Sequence, residues 1–316
     1  MMGLLHLLRH GRGLRHLPIV YPDEEQVSVR VLVCGEGGET IDVTRDHVPV
    51  SLRPLVLGLR LEDSAGELAS PRLEFRDALA NDRSLASIDL TSVGRLPLSR
   101  GHLRLFETSG CRNWCATAPT RWTRYALAWQ HARRAPARGD ALCMSASDLR
   151  CLNAYYIVPR PVYLVSVADG DRSNIFPMDL VGPVSSGDFL LALRATSPSI
   201  ELIESSRRIA MSGAPANRLD AIYALGAHHH LASVDVSTLP FEFEESELFN
   251  LPVLPGLGLV RELAVRDVHR IGSHVLFVSQ VQREGGRTEH QLAHMSGMYA
   301  ELLAKQGRPM QAVAAR

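Results

Sequence analysis

Short apolar runs follow one another so closely along this chain that there is little room for helices between them. In the second half, "RPVYLVSVADGDRSN", "DFLLALRA", "GLVRELAVRDVHRIG" and "HVLFVSQVQREG" read as strands. Parallel pairing of such runs needs crossovers of a dozen or more residues, usually helical, and the spacing argues against them. A closed or partly open antiparallel barrel with short helices fits best.

The first half has the same texture. From Gln26 to Leu61 the runs "VSVRVLVCG" and "IDVTRDHVPVSLRPLVLGLRLED" alternate apolar and polar residues and are punctuated by Gly and Pro clusters. "PRLEFRD" and "HLRLFET" are further strand candidates. The stretch "TAPTRWTRYALAWQHARRA" differs, because Trp122, Tyr125, Ala126 and Trp129 recur at helical spacing, so an aromatic helix is expected near 120–134, packing in a core or interface. "RRAPARGD" (Arg133–Asp140) is breaker-rich and reads as a linker. Two domains follow, 1–140 and 141–316. A faint likeness between "TIDVTRDHVPVSLRPLVLGLRL" and the segment from Tyr163 to Ala195 makes the first domain readable as a degenerate second barrel.

Further along, Ser145 with Asp148 three residues on is a helix N-cap pattern. Ser197-Pro198 opens a helix-like "SIELIESS", since proline suits the first turn. A last helix is expected from about Glu289 to Lys305.

Composition narrows the function classes. The chain has 316 residues, 46% of them hydrophobic and 22% charged, and a formal net charge of +0. A general nucleic-acid binder would carry a basic excess, so none is expected. Five cysteines at irregular spacing suit a reducing compartment better than a disulfide framework. The opening "MMGLLHLLRHGRGLRHLP" lacks the order of a secretory signal, and no run reaches membrane-spanning length, so a cytoplasmic location and no membrane partner are expected. Nucleophile elbow, P-loop and dinucleotide-binding fingerprints are absent from the sequence.

The segments "RPVYLVSV…GDRSNIFPMDLVG", "LALRATSPSIELIESSRRIAMS", "LGAHHH", "IGSHVLFVSQV" and "HQLAHMSGMYAEL" together resemble the flavin reductase-like family. The resemblance covers roughly Leu149 to Leu303 and implies an FMN-binding split barrel of Greek-key antiparallel strands. It also implies hydride transfer between NAD(P)H and flavin, a small-molecule substrate, and a homodimer or an intrachain pseudo-dimer of barrels. Alternatives are a non-catalytic flavin- or haem-binding module of that fold, or a specialised biosynthetic redox enzyme. The first half, and "IFPMDL" where Thr/Ser-rich text is usual, depart from the family pattern.

Two polar patches carry the expected site. The run Ser173, Asn174, Phe176, Pro177, Met178, Asp179 and Leu180 offers peptide groups and polar contacts to a flavin edge, or is an ordinary β-turn. Arg194, Ala195, Thr196, Ser197 and Ser199 lead into a helix, where free N–H groups, the helix dipole and a guanidinium favour a phosphate. The resemblance makes this junction the FMN phosphate site and makes His274, in "GSHVLF", the catalytic candidate on the substrate side of the flavin. His228, His229 and His230 are adjacent and so diverge, and no metal site is assigned to them. Cys111 and Cys115 are treated as buried thiols before a redox pair.

Overall fold

The computed structural model describes residues 16–313 except 36, 63–67, 69, 135–143, 186, 255–258 and 287–289. The expected linker therefore lies almost wholly outside the described residues, and so does Cys143. The protein is mainly β, with short helices.

Two seven-stranded antiparallel sheets dominate. The first contains β2 (Val29–Cys34), β3 (Thr40–Asp42), β4 (His47–Leu52), β5 (Leu55–Leu61), β6 (Arg72–Asp77), β7 (Arg83–Pro97) and β8 (His102–Asn113), in the order β3-β2-β6-β7-β8-β5-β4. The second contains β10 (Tyr163–Asp169), β11 (Arg172–Met178), β12 (Val181–Pro183), β13 (Asp188–Arg194), β14 (Arg208–Gly213), β17 (Val260–Ile271) and β18 (His274–Gly285), in the order β11-β10-β14-β17-β18-β13-β12. One order becomes the other when β2–β6 are replaced by β10–β14, and β7 and β8 by β17 and β18. The register agrees as well. Leu61 lies opposite His102 in the first sheet, as Arg194 lies opposite His274 in the second.

The sheets differ in what joins their strands. Between β13 and β14 the second has helix α3 (Ser199–Ser206). Between β14 and β17 it has helix α4 (Leu219–Ala224), a 3-10 turn over Leu225–His230 and a small hairpin of β15 (Glu244–Glu245) with β16 (Pro252–Val253). In the first sheet β6 turns directly into β7, and no helix lies between β5 and β6 among the described residues. A third, three-stranded sheet joins β1 (Leu17–Val20) to β19 (Leu292–Met295) and β9 (Arg160–Pro161), so the start of the first half pairs with the second.

The helices α1 (Ala118–Arg134) and α2 (Ala146–Tyr155) connect the halves, and α5 (Gly297–Lys305) follows β19. Ser145 caps α2 as its spacing predicts, its Oγ accepting from Asp148 N at 3.0 Å. The last helix begins at Gly297, eight residues later than the reading from Glu289, because Leu292–Met295 is drawn into the β1 pairing. On α1 the aromatic stripe is not a core: Trp122 is 70% and Trp129 48% exposed, with only Tyr125 packed inward.

The halves meet through strands buried on both faces. All six residues of β4 are buried, as are the first six of β13 and of β18. Alternate residues explain this. Leu191, Leu193 and Phe277 fill the interior of the second barrel, while Leu190, Ala192, Leu276 and Val278 join the first barrel's core with Val48 and Val50. Such strands read as continuous apolar runs rather than alternating ones. Polar bonds fix the alignment. Asp188, with no exposed side-chain surface, accepts from Ser99 N and Oγ, each at 2.7 Å, and pairs with Arg266 at 3.0 Å. Removing one partner of a buried, hydrogen-bonded charge pair typically costs about 3–5 kcal/mol. Asp188→Ala is therefore expected to destabilise the protein by about that much, read from denaturant unfolding midpoints, with Asp188→Asn losing less.

Candidate functional site

The run Ser173–Met178 is not a turn. It forms β11, an edge strand whose residues pair with Tyr163–Ala168 of β10. Its side chains alternate accordingly. Phe176 and Met178 point into the barrel core, and Leu180 packs on the shared core between the halves. The carbonyls along the open edge of the strand meet the 3-10 turn over Leu225–His230 and the residues after it, and Asn174, on the same face as Phe176 and Met178, reaches that loop with its amide. Asn174 donates from Nδ2 to Ser199 Oγ (2.9 Å), His228 O (3.0 Å) and Leu231 O (2.9 Å). His228 donates from Nδ1 to Ile175 O at 2.8 Å, and His229 from Nε2 to Pro177 O at 3.1 Å. Ser173 O is taken up by Val234 N at 2.7 Å. His228 and His229 thus staple an open sheet edge, satisfying carbonyls that an edge strand leaves unpaired.

The second patch lies where β13 ends. Arg194 is half-buried, Ala195 and Thr196 are exposed, and Ser197 and Ser199 are buried ahead of α3. The α3 N-cap position is Pro198, and no side chain caps the helix. Ile200 N and Glu201 N bond Ser197 O and Pro198 O at 3.2 and 3.3 Å, so what this helix start offers an anion is chiefly the positive end of its dipole.

His274 stands opposite Arg194 in the β13–β18 ladder. Its Nδ1 accepts from Leu52 N (3.4 Å), a backbone group of the first sheet, and lies 2.9 Å from Ser273 Oγ. A backbone N–H can only donate, so the ring proton sits on Nε2. That Nε2–H is buried with no hydrogen-bond partner, and so are His229 Nδ1, Ser197 Oγ and Asn174 Oδ1. Because Pro177 O can only accept, His229 Nδ1 is a bare lone pair. Buried polar atoms are nearly always bonded, so the grouping of four such atoms near Arg194 makes this place a candidate for a bound group. Burial and the Arg194 charge lower the pKa of His274 to about 4, and burial chiefly lowers that of His229 to about 4. Both rings are neutral at pH 7 and present one donor and one acceptor.

Asp179 belongs to a neighbouring cluster. Its Oδ2 accepts from Tyr156 Oη and lies against His294 Nδ1, each at 2.7 Å, while His294 Nε2 lies 2.9 Å from Tyr223 Oη. Hydrogen bonding and the positive potential of His294 and His16 hold the carboxyl well below the usual range despite burial. No local pattern in the sequence links His16, His294, Tyr156 or Tyr223 to Asp179: the three-stranded sheet sets His16, just before β1, near His294 on β19, while Tyr156 ends α2, Tyr223 lies on α4 and Asp179 follows β11. Cys111, for its part, lies against Cys151 rather than Cys115.

Residues 155–303 match the family model described as the flavin reductase like domain. The C-terminal half carries that fold. Among solved structures, the Streptomyces globisporus C-1027 NADH:FAD oxidoreductase SgcE6 aligns at 18% identity over 54% of this chain and 93% of its own, with a TM-score of 0.42. BorF, the flavin reductase component of a bacterial two-component tryptophan halogenase, aligns at 15% over 53% and 99%, also with a TM-score of 0.42. An FMN-binding protein from Thermus thermophilus, solved with p-hydroxybenzaldehyde, aligns at 25% over 42% and 74%, with a TM-score of 0.37. No curated relative matches by sequence. No helix among the described residues is long and apolar enough to cross a membrane.

The buried histidines set an acid limit on stability. Burial lowers His47 to about 3, as His274 is lowered to about 4. A depressed histidine pKa means the unfolded chain binds the extra proton first, so stability is full above about pH 6.5 and falls as pH drops toward 4. The loss is expected to be on the order of 3 kcal/mol per histidine, measurable as denaturation midpoints against pH. His274→Gln should remove its share of that slope.

Proposed function

We propose that the C-terminal half is an FMN-dependent oxidoreductase domain, and that the first half stands where a second barrel is needed to close its cofactor groove. The observation that carries this reading is the convergence of four buried, unbonded polar atoms with Arg194 inside a flavin reductase like domain. The residues present fit the cofactor. Ser197, the uncapped start of α3 and the Arg194 guanidinium suit a terminal phosphate, which only accepts hydrogen bonds and is anionic. The Nε2–H of His274 and the Nδ1 lone pair of His229 suit the mixed donor and acceptor edge of a flavin ring.

Bound there, FMN would supply a ring that takes a hydride from a reduced nicotinamide and passes it to a substrate. The protein's own part is to hold, orient and exclude water. His274 stays neutral at pH 7 and donates from Nε2, so its role is to position an acceptor oxygen rather than to deliver a proton. Leu52 of the first barrel fixes that tautomer, which makes the first half part of the site. Asp179 has its charge taken by Tyr156 and His294 and is not counted among the flavin contacts.

The duplicated sheet should hold no second cofactor. Where the second barrel has Arg194 opposite His274, the first has Leu61 opposite His102, and the α3 phosphate helix has no counterpart among its described residues. Titration with FMN, followed by its visible absorption, is expected to saturate at one equivalent per chain. Arg194→Ala with Ser197→Ala should weaken binding roughly ten- to hundredfold, the worth of one or two charge-assisted bonds. A protein that stays colourless with FMN overturns the reading. Bound FMN with no oxidation of NADH or NADPH would favour a non-catalytic flavin module.

A further inference from the structure

We propose that His16, Asp179 and His294 form a binding site for one divalent transition-metal ion of the zinc type, separate from the flavin groove. Their ligand atoms all lie within 4.8 Å of one another, although they come from the approach to β1, the end of β11 and β19. Two imidazoles and one carboxylate are a donor set that zinc and its first-row neighbours accept with a further position left open.

The cluster also has the outer partners that built metal sites show. His294 Nε2 lies 2.9 Å from Tyr223 Oη, which leaves Nδ1 as the nitrogen facing Asp179. The Asp179 carboxylate receives the Tyr156 hydroxyl at 2.7 Å. Such contacts fix the ring orientation and hold the carboxylate in place for an ion. The His16 ring lies over His294, with centroids 4.1 Å apart, and over Tyr156 at 4.7 Å, so three rings wall the same point.

What now joins Asp179 to His294 is one proton across 2.7 Å. A tetrahedral ion bonded at about 2.0–2.1 Å would hold the two atoms about 3.3 Å apart. The pair need open by only about half an ångström for the ion to take the proton's place. Binding at Nδ1 requires the proton on that atom to leave it, and for a neutral ring it passes by way of solvent to Nε2, from which His294 donates to Tyr223 Oη. Proton and metal compete for Nδ1, so binding is expected to weaken as pH falls. The histidine triplet is not part of this site, since His228 and His229 are spent on the β11 carbonyls.

The test uses the full chain, stripped with a chelator and titrated with Co²⁺, whose visible spectrum distinguishes tetrahedral from octahedral coordination. One equivalent with a tetrahedral spectrum is expected. That spectrum should be lost in both His16→Ala and Asp179→Asn, kept in His230→Ala, and displaced by Zn²⁺. Tyr156→Phe should lower the affinity ten- to hundredfold, as loss of an outer partner does. His16→Ala removes a half-buried ring near the chain start, and its far-UV circular dichroism should match the parent. A spectrum that never becomes tetrahedral overturns the proposal. So does one that persists unchanged in both ligand variants.

Discussion

The fold and the candidate site both depend on strands that are buried on two faces at once. β13 and the first half of β18 each serve one barrel with alternate side chains and the other barrel with the rest, and β4 is buried along its whole length beside them. Val48 and Val50 meet Leu190, Ala192, Leu276 and Val278 across that seam in one continuous core. A single split barrel would leave this surface exposed, as a large apolar patch that ordinarily demands a partner. Here the partner is covalently attached, so its local concentration is high and fixed.

That seam reaches the chemistry through very few atoms. Gly272 turns the chain at φ +53° between β17 and β18, and a Cβ there would lie 2.6 Å from Arg53 O and from Ser51 Oγ. The close approach lets Ser273 N bond Arg53 O at 2.9 Å and lets Leu52 N reach His274 Nδ1. Backbone from one barrel thereby sets the tautomer of a histidine in the other. The sequence "IGSH" carries this constraint in its glycine, yet nothing in the sequence says whose carbonyl the glycine must pass.

Legibility in the sequence followed the physics of each element. Apolar runs buried on one or both faces, such as "DFLLALR" and "HVLFVS", were readable because burial dictates composition. The strand β7 was missed: its second half is nearly all exposed, and "DLTSVGRLP" has the Ser, Thr and Gly content of a loop. Pairing with β8 along its whole length makes it a strand. "SNIFPMD" looked like a turn because Asn, Pro and Asp are turn formers. At a sheet edge, however, Pro177 needs to donate nothing, and Asn174 spends its amide on the neighbouring loop. The passage from strand to helix between Arg194 and Ser199 was readable, since Ser-Pro before an apolar-periodic run is a local helix-start pattern. The His16–Asp179–His294 group was not, because its members lie 163 and 115 positions apart, by subtraction of their numbers, and share no local pattern.

The two sheets share a strand order but differ in their connections and in the residues at matching positions. Both sheets keep the strand order and the register that place a histidine at the head of one central strand, opposite the last residue of its neighbour. In a symmetric pair each barrel would both bind a cofactor and wall the other's site, and every residue near the seam would answer to both tasks. In one chain with the proposed site, one barrel can serve only as the wall. Leu61 in place of an arginine fits that division. Burying leucine there adds apolar area to the core, whereas a guanidinium without its phosphate would be a charge with nothing to offset its desolvation. The second barrel retains Arg194, the helix α3 and the loop that shields β11, and it leaves polar atoms unbonded at the place where a ligand would bond them. The asymmetry of the connections is what the proposed reading, one site served by two barrels, requires.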